Sequence, residues 1–257
     1  MRIAKKKEVS GLADTINLEL PRSWQELSER QFRYVCWLYS RGYDFDSLLA
    51  YCVVRFTHMQ VVKHYDDAHW LMKQGKKRFM LLDIQMYDLC NYLRFLCTTP
   101  SKPINIPKIG RKKALPVDFR GVPFETYIIV NNLYTGYLTT QKKEILSQCA
   151  AVLYQSEKMK LDDAELQSIF FWIAGLFHVF SERFPHLFKE SGGDGEQSGR
   201  NIGKMLQDVV DSQLRALTKG DITKEKEILE MDTWRALTEL NALAREYEEL
   251  NLKYPQK

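Results

Sequence analysis

The chain has 257 residues, 45% of them hydrophobic and 27% charged, which is the balance of an ordinary globular protein with enough material for a real core. A net charge of +4 is too weak to imply nucleic acid by itself. The five cysteines, Cys36, Cys52, Cys90, Cys97 and Cys149, show no C-x-x-C spacing of a zinc or redox site, so a reducing, cytoplasmic compartment is expected.

Residues 1–13 read as a flexible basic tail with no apolar run after it, so no signal peptide is expected. The alternation from Thr15 to Leu20 predicts a short strand that Pro21 ends. Ser23 with Glu26 and Ser28 with Gln31 are capping boxes, the second stapled by Leu27 and Phe32. A helix over 29–40 follows, with Phe32, Val35, Cys36 and Tyr39 on one face. Asp44 or Asp46 then starts a helix through Leu48, Leu49, Cys52 and Val53. Thr57 with Gln60 predicts a third capped start, residues 64–73 a helix, residues 74–78 a polar turn, and Asp83 a further helix start.

Residues 100–123 change character. Pro100, Pro103, Pro107, Pro116 and Pro123 forbid a helix, and Ile104, Ile106, Ile109, Leu115, Val117 and Phe119 are spaced as two short strands around the turn 110–113. The expectation is an exposed β-hairpin or irregular arm. Helices are expected over 124–138, where Ile128 to Val130 favour a strand, and over 141–155. Another is expected from the box Asp162 with Glu165 to about Phe184. The last of these is the expected central core helix; its apolar run 169–180 is too short to span a bilayer. Residues 191–199, with four glycines and two serines, read as a linker. Helical segments over 201–218, 223–230 and from Asp232 onward complete the chain. The fold class expected is mainly α. A multi-helix body (14–190, with the arm 100–123) carries a small β element, and a helical C-terminal region spans 200–257.

That final region holds the most informative pattern. Ala236, Leu240, Leu243, Tyr247, Leu250 and Tyr254 alternate at spacings of four and three, which places them on one stripe of a helix flanked by charges. Such a stripe covers either its own chain or a partner, and the sequence leaves both open.

Catalytic and cofactor chemistry finds little support. Residues 199–204 glance at a phosphate loop, but only three residues separate the glycines and Met205 stands where Ser or Thr should hold magnesium. His64, Asp66, Asp67 and His69 are metal-ligand types, yet on a helix His64 and His69 point too far apart to share an ion. No nucleophile elbow or cysteine-centred motif is present. Trp24, Trp37, Trp70, Trp172 and Trp234 are possible base-stacking residues, but core anchoring explains them more simply. No enzyme activity, cofactor, metal, small molecule or membrane is expected.

The stretch 18–32, with Pro21, Trp24 and Leu27 leading into a capped helix, resembles the opening of small phage- or prophage-encoded proteins. The stretch 218–237 resembles the tail ends of phage tail-assembly proteins, and 124–127 leading to 146–154 is similar to parts of them. The resemblance implies a cytoplasmic assembly chaperone or morphogenesis factor without catalytic residues, engaging a tape-measure or tail-tube protein. The expectation is therefore a non-enzymatic interaction protein. It would bind a helical partner, or itself, through Trp234, Leu237, Leu240, Leu243, Tyr247 and Leu250. The alternative is a nucleic-acid-binding accessory protein using Lys76, Lys77, Arg78, Lys108, Arg111, Lys112 and Lys113.

Overall fold

The computed structural model describes Leu12, Ile16 and residues 18–66, 68–188 and 212–253. The expected tail 1–13 (Leu12 apart), the linker 191–199, the phosphate-loop look-alike 199–204, most of the helix 201–218, and Tyr254 lie outside them. The chain divides into two compact units, Met1–Thr99 and Pro100–Lys257. The division thus falls at the start of the proline-rich segment rather than at the glycine-rich stretch, and the C-terminal helix belongs with the second unit. The architecture is mainly α with a small β element.

In the first unit α1 (Glu29–Ser40) starts at the box read from the sequence: the Gln31 amide donates to Ser28 Oγ at 3.3 Å and the Ser28 amide to Gln31 Oε1 at 2.9 Å. Asp44 caps α2 (Phe45–Phe56), accepting from the Ser47 amide at 2.9 Å. Ser23 and Glu26 form only a short 3-10 turn, without a side-chain cap at Ser23. Phe32, Val35, Cys36 and Leu38 of α1 and Leu48, Leu49, Cys52 and Val53 of α2 are buried.

The largest departure from expectation follows. Residues 57–73 do not form a helix. They open a three-stranded antiparallel sheet, β1 (Met59–Asp66), β2 (His69–Gln74) and β3 (Lys77–Leu82), in the order β1-β2-β3. Thr57 closes α2 instead of opening a helix: its hydroxyl donates to the Val53 carbonyl at 2.6 Å, and its own carbonyl accepts from Gln74 Nε2 at 2.7 Å. His58 then turns the chain with φ +55°. The Gln74–Lys77 pair is joined by Gly75–Lys76, with Gly75 at φ +59°, the conformation a two-residue hairpin reserves for glycine. Pairing of the three strands buries Met59, Met72, Phe79 and Leu81, and this outweighs the local capping grammar. Helix α3 (Asp83–Tyr92) follows, then a 3-10 turn over Arg94–Cys97. The expected N-terminal strand is not formed over 18–20, and among the described residues ahead of it Leu12 bridges to Arg78.

In the second unit the proline-rich segment is a packed strap, not an exposed arm. It contains only the two-residue strands β4 (Lys108–Ile109) and β5 (Lys112–Lys113). Ile106, Ile109, Phe119 and Val122 are buried. Its carbonyls take the polar ends of core aromatics: Trp172 Nε1 donates to Val117 at 2.8 Å and the Tyr154 hydroxyl to Ile106 at 2.5 Å. Buried Tyr and Trp need such partners, and a segment whose prolines remove backbone donors still has carbonyls to offer. Beneath it lie α4 (Phe124–Thr140), which overrides the strand tendency of Ile128 to Val130, α5 (Lys143–Leu153) and α6 (Asp163–Arg183). The expected box opens α6, the Glu165 amide donating to Asp162 Oδ1 at 2.8 Å. With 21 residues α6 is long and apolar enough to cross a bilayer, contrary to the shorter run read from sequence; half of its most apolar stretch is buried in the protein. Its Gly175 lies against the strap: a Cβ there would stand 2.6 Å from the Lys102 carbonyl oxygen. After helical residues 212–218 come α7 (Glu225–Glu230) and α8 (Thr233–Lys253).

Candidate interaction surfaces

Helix α8 begins where Asp232 accepts from the Arg235 amide at 3.2 Å, the N-cap read from the sequence, and also from the Gly121 amide at 2.6 Å. The Phe124 amide donates to the Met231 carbonyl at 2.8 Å, so the start of α8 is tied to the start of α4. From this anchor the stripe has two different fates. Ala236, Leu237 and Leu240 are buried. Trp234 is half-buried, its Nε1 donating to the Asp118 carbonyl at 2.7 Å and its ring set edge-on to Phe180 at 5.3 Å. Trp234, Leu237 and Leu240 therefore face this chain and not a partner, which corrects half of the predicted contact set.

The middle of α8 is held by polar contacts. Asn241 Oδ1 accepts from the His186 amide at 3.0 Å and the Leu187 amide at 3.2 Å, and His186 Nδ1 lies 2.8 Å from Glu248 Oε2. Beyond Leu243, which is half-buried, the stripe opens to solvent: Tyr247 is 66% exposed and Leu250 55%. Exposed Glu246 and Glu249 flank it, the latter 3.7 Å from Arg245.

The two basic groups sit on hairpin turns. Lys76, Lys77 and Arg78 are exposed around the β2–β3 turn of the first unit, and Lys108, Arg111, Lys112 and Lys113 around the β4–β5 turn of the second. Trp70, the tryptophan nearest a basic run, is already engaged: its ring stacks on His64 at 4.1 Å and its Nε1 donates to Asp83. His64 and His69 lie on paired strands rather than on one helix. His69 Nδ1 contacts Asp66 Oδ1 at 2.6 Å, and this hydrogen bond holds the Asp66 carboxyl below its ordinary range.

A further surface escaped the sequence reading. On the α1–α2 hairpin, Tyr34 and Trp37 of the first helix and Arg41 just past its end meet Tyr51 and Arg55 of the second, with Tyr43 from the connection. The Tyr34 and Trp37 rings stack at 5.8 Å, with the Arg55 guanidinium over Tyr34 at 5.4 Å and that of Arg41 over Trp37 at 5.6 Å. Tyr43 bridges to Tyr51 at 5.1 Å. Trp37, Tyr43 and Tyr51 remain exposed at 39%, 40% and 47%. The signal was present as Tyr34, Trp37 and Arg41 at helical spacings of three and four, with Tyr51 and Arg55 four apart on the next helix. Only antiparallel packing of the two helices turns these into one face.

Chemistry elsewhere is sparse. Among the described residues no group of three or more His, Cys, Asp or Glu converges on a metal-sized site. Burial pushes the Cys52 and Cys149 thiols up to about 12, the opposite of what a nucleophile needs. A groove of about 700 Å³ in the first unit runs along β3 and α3, lined by Ile16, Leu18, Phe79, Leu81, Leu89 and Tyr92 among others. Comparison with known protein families, with curated proteins and with solved structures returned no match.

Proposed function

We propose that this chain is a non-enzymatic interaction protein that engages a helical protein through the open half of α8, with Leu243, Tyr247 and Leu250 as its apolar contacts. The observation that carries this reading is the continuity of the stripe. The same spacing that buries Leu237 and Leu240 in cis runs on for two more turns where the second unit leaves Tyr247 and Leu250 uncovered. An amphipathic helix with a bare apolar face is the element that helix-in-groove and helix-on-helix recognition uses, and tyrosine at the centre of such a face is a frequent anchor. Following the resemblance to tail-assembly proteins, we infer that the setting is phage or prophage assembly in the host cytoplasm, with a tape-measure protein, a tail-tube protein or a second copy of this chain as partner.

A photo-crosslinking residue at position 247 in the full-length chain tests this in the expressing cell. Crosslinks to a second polypeptide support the reading, and crosslinks confined to the same chain overturn it. Tyr247→Glu with Leu250→Glu, measured alongside, should abolish the crosslinks formed from position 243 while leaving the melting temperature unchanged.

The second reading, nucleic-acid binding, draws on the exposure of Lys76, Lys77, Arg78, Lys108, Arg111, Lys112 and Lys113 at two hairpin turns. Binding through phosphate contacts would weaken steeply with salt. Absence of any shift of labelled DNA or RNA at low salt removes it.

A further inference from the structure

We propose that the partner of the open α8 face is a second copy of this chain, and that the surface receiving it is the aromatic–arginine face of the α1–α2 hairpin. The inference rests on the reading of α8 as a partner-binding helix and names what it binds. Two uncovered surfaces on one chain carry complementary chemistry. The α1–α2 face offers Trp37, Tyr43 and Tyr51 as partly exposed rings, edged by the guanidiniums of Arg41 and Arg55. The α8 face offers Tyr247 and Leu250, edged by Glu246 and by Glu249, the latter within 3.7 Å of Arg245. Tryptophan, tyrosine and arginine are the residues most enriched at interface hot spots.

The geometry of the receiving face suits a helix better than a stacked base. The flat faces of Tyr34 and Trp37 are already occupied, by each other and by the two guanidiniums. Ring edges and guanidinium N–H groups are what they leave for a visitor. A ring edge packs against an aliphatic side chain or meets another ring in the T-shaped arrangement that rings prefer, and a guanidinium donates paired hydrogen bonds to a carboxylate. A base would have to displace an arginine to stack on Tyr34 or Trp37. Asp44 is the carboxylate closest in sequence to this face, and it is committed to the Ser47 amide and hydroxyl at the start of α2.

Because two different surfaces meet, the contact is heterologous: it adds copies head to tail, closing into a ring where the rotation allows and running on as an open chain where it does not. Two turns of helix on a helical hairpin form a contact at the small end of specific interfaces, so association should be concentration-dependent, with a dissociation constant of about micromolar order.

The test uses the full-length chain. Light scattering after size exclusion should give a monomer on dilution and a mass that climbs to two or more monomers as concentration rises. Arg41→Glu with Arg55→Glu, and separately Tyr247→Ala with Leu250→Ala, should each weaken association at least about tenfold. Combining Arg41→Glu and Arg55→Glu with Glu246→Arg and Glu249→Arg should restore it, a rescue that a merely misfolded variant does not give. A wild-type chain that stays monomeric at ~100 µM overturns the proposal. So does association that neither pair of substitutions disturbs. Crosslinks from position 247 to a different protein overturn the self-association alone and leave the partner-binding reading standing. Crosslinks only within one chain overturn both.

Discussion

Thr233, fully buried at the start of α8, donates its hydroxyl hydrogen to the carbonyl oxygen of Val122 at 2.7 Å across 111 residues of sequence. Its amide donates to the same carbonyl at 2.9 Å. Together with the Gly121–Asp232 and Phe124–Met231 bonds, Thr233 fixes where α8 starts on the second unit. Thr233→Val keeps the shape and the amide bond but removes the hydroxyl donor. We expect a loss of about 1–3 kcal/mol in denaturant unfolding, with the slope unchanged.

The two fates of the α8 stripe predict a contrast within one helix. Leu237→Ala removes a side chain with no solvent exposure and should cost about 2–5 kcal/mol. Leu250→Ala, on the same helix but more than half exposed, should change stability by less than about 0.5 kcal/mol. Equal costs at the two positions, measured by chemical unfolding, would show that the distal turns are covered in cis after all.

Gly175 tests the strap over α6. An added Cβ meets the Lys102 carbonyl oxygen at 2.6 Å and the Pro103 Cα at 3.0 Å, both backbone atoms that cannot rotate aside. Alanine normally stabilises a helix relative to glycine by about 1 kcal/mol. Here Gly175→Ala should instead destabilise, by about 1–3 kcal/mol. A raised melting temperature would refute the close approach.

The cysteines separate by burial. Cys36, Cys52 and Cys149 are buried while Cys90 and Cys97 are partly accessible. A thiol reagent at neutral pH should therefore label Cys90 and Cys97 first, and all five only in denaturant. Burial raises the thiol of Cys52, and that of Cys149, from an ordinary value near 9.0 to about 12. With the folded value above the unfolded one, this contribution to stability is complete below about pH 9 and drains away as pH rises toward 12. Cys149→Ser should lessen that alkaline loss without affecting acid unfolding.

How much of this was legible beforehand depended on the range of the forces involved. The starts of α1, α2, α6 and α8 were readable because an N-cap is settled within four residues: Ser28 with Gln31, Asp44 with Ser47, Asp162 with Glu165, Asp232 with Arg235. The same grammar misled at Thr57 and Gln60, where pairing of Met59 to Gln74 across two strands outweighed a local cap. The strap over 100–123 looked exposed because its prolines speak only to backbone conformation, whereas its burial comes from Trp172, Tyr154 and Trp234 reaching its carbonyls from far along the chain.

The surfaces divide in the same way. Periodicity alone determined that residues 236–250 form an amphipathic helix, since an apolar stripe at 3.6-residue spacing has one local solution. Periodicity cannot say how far along that stripe the chain covers itself, because cover is a matter of where α4, α6 and the strap end in space. Tertiary structure decided that Leu237 is core and Tyr247 is surface. It also gathered Tyr34, Trp37, Tyr43 and Tyr51 into one aromatic face, which exists only because α1 and α2 pack antiparallel and hold rings up to 17 residues apart side by side.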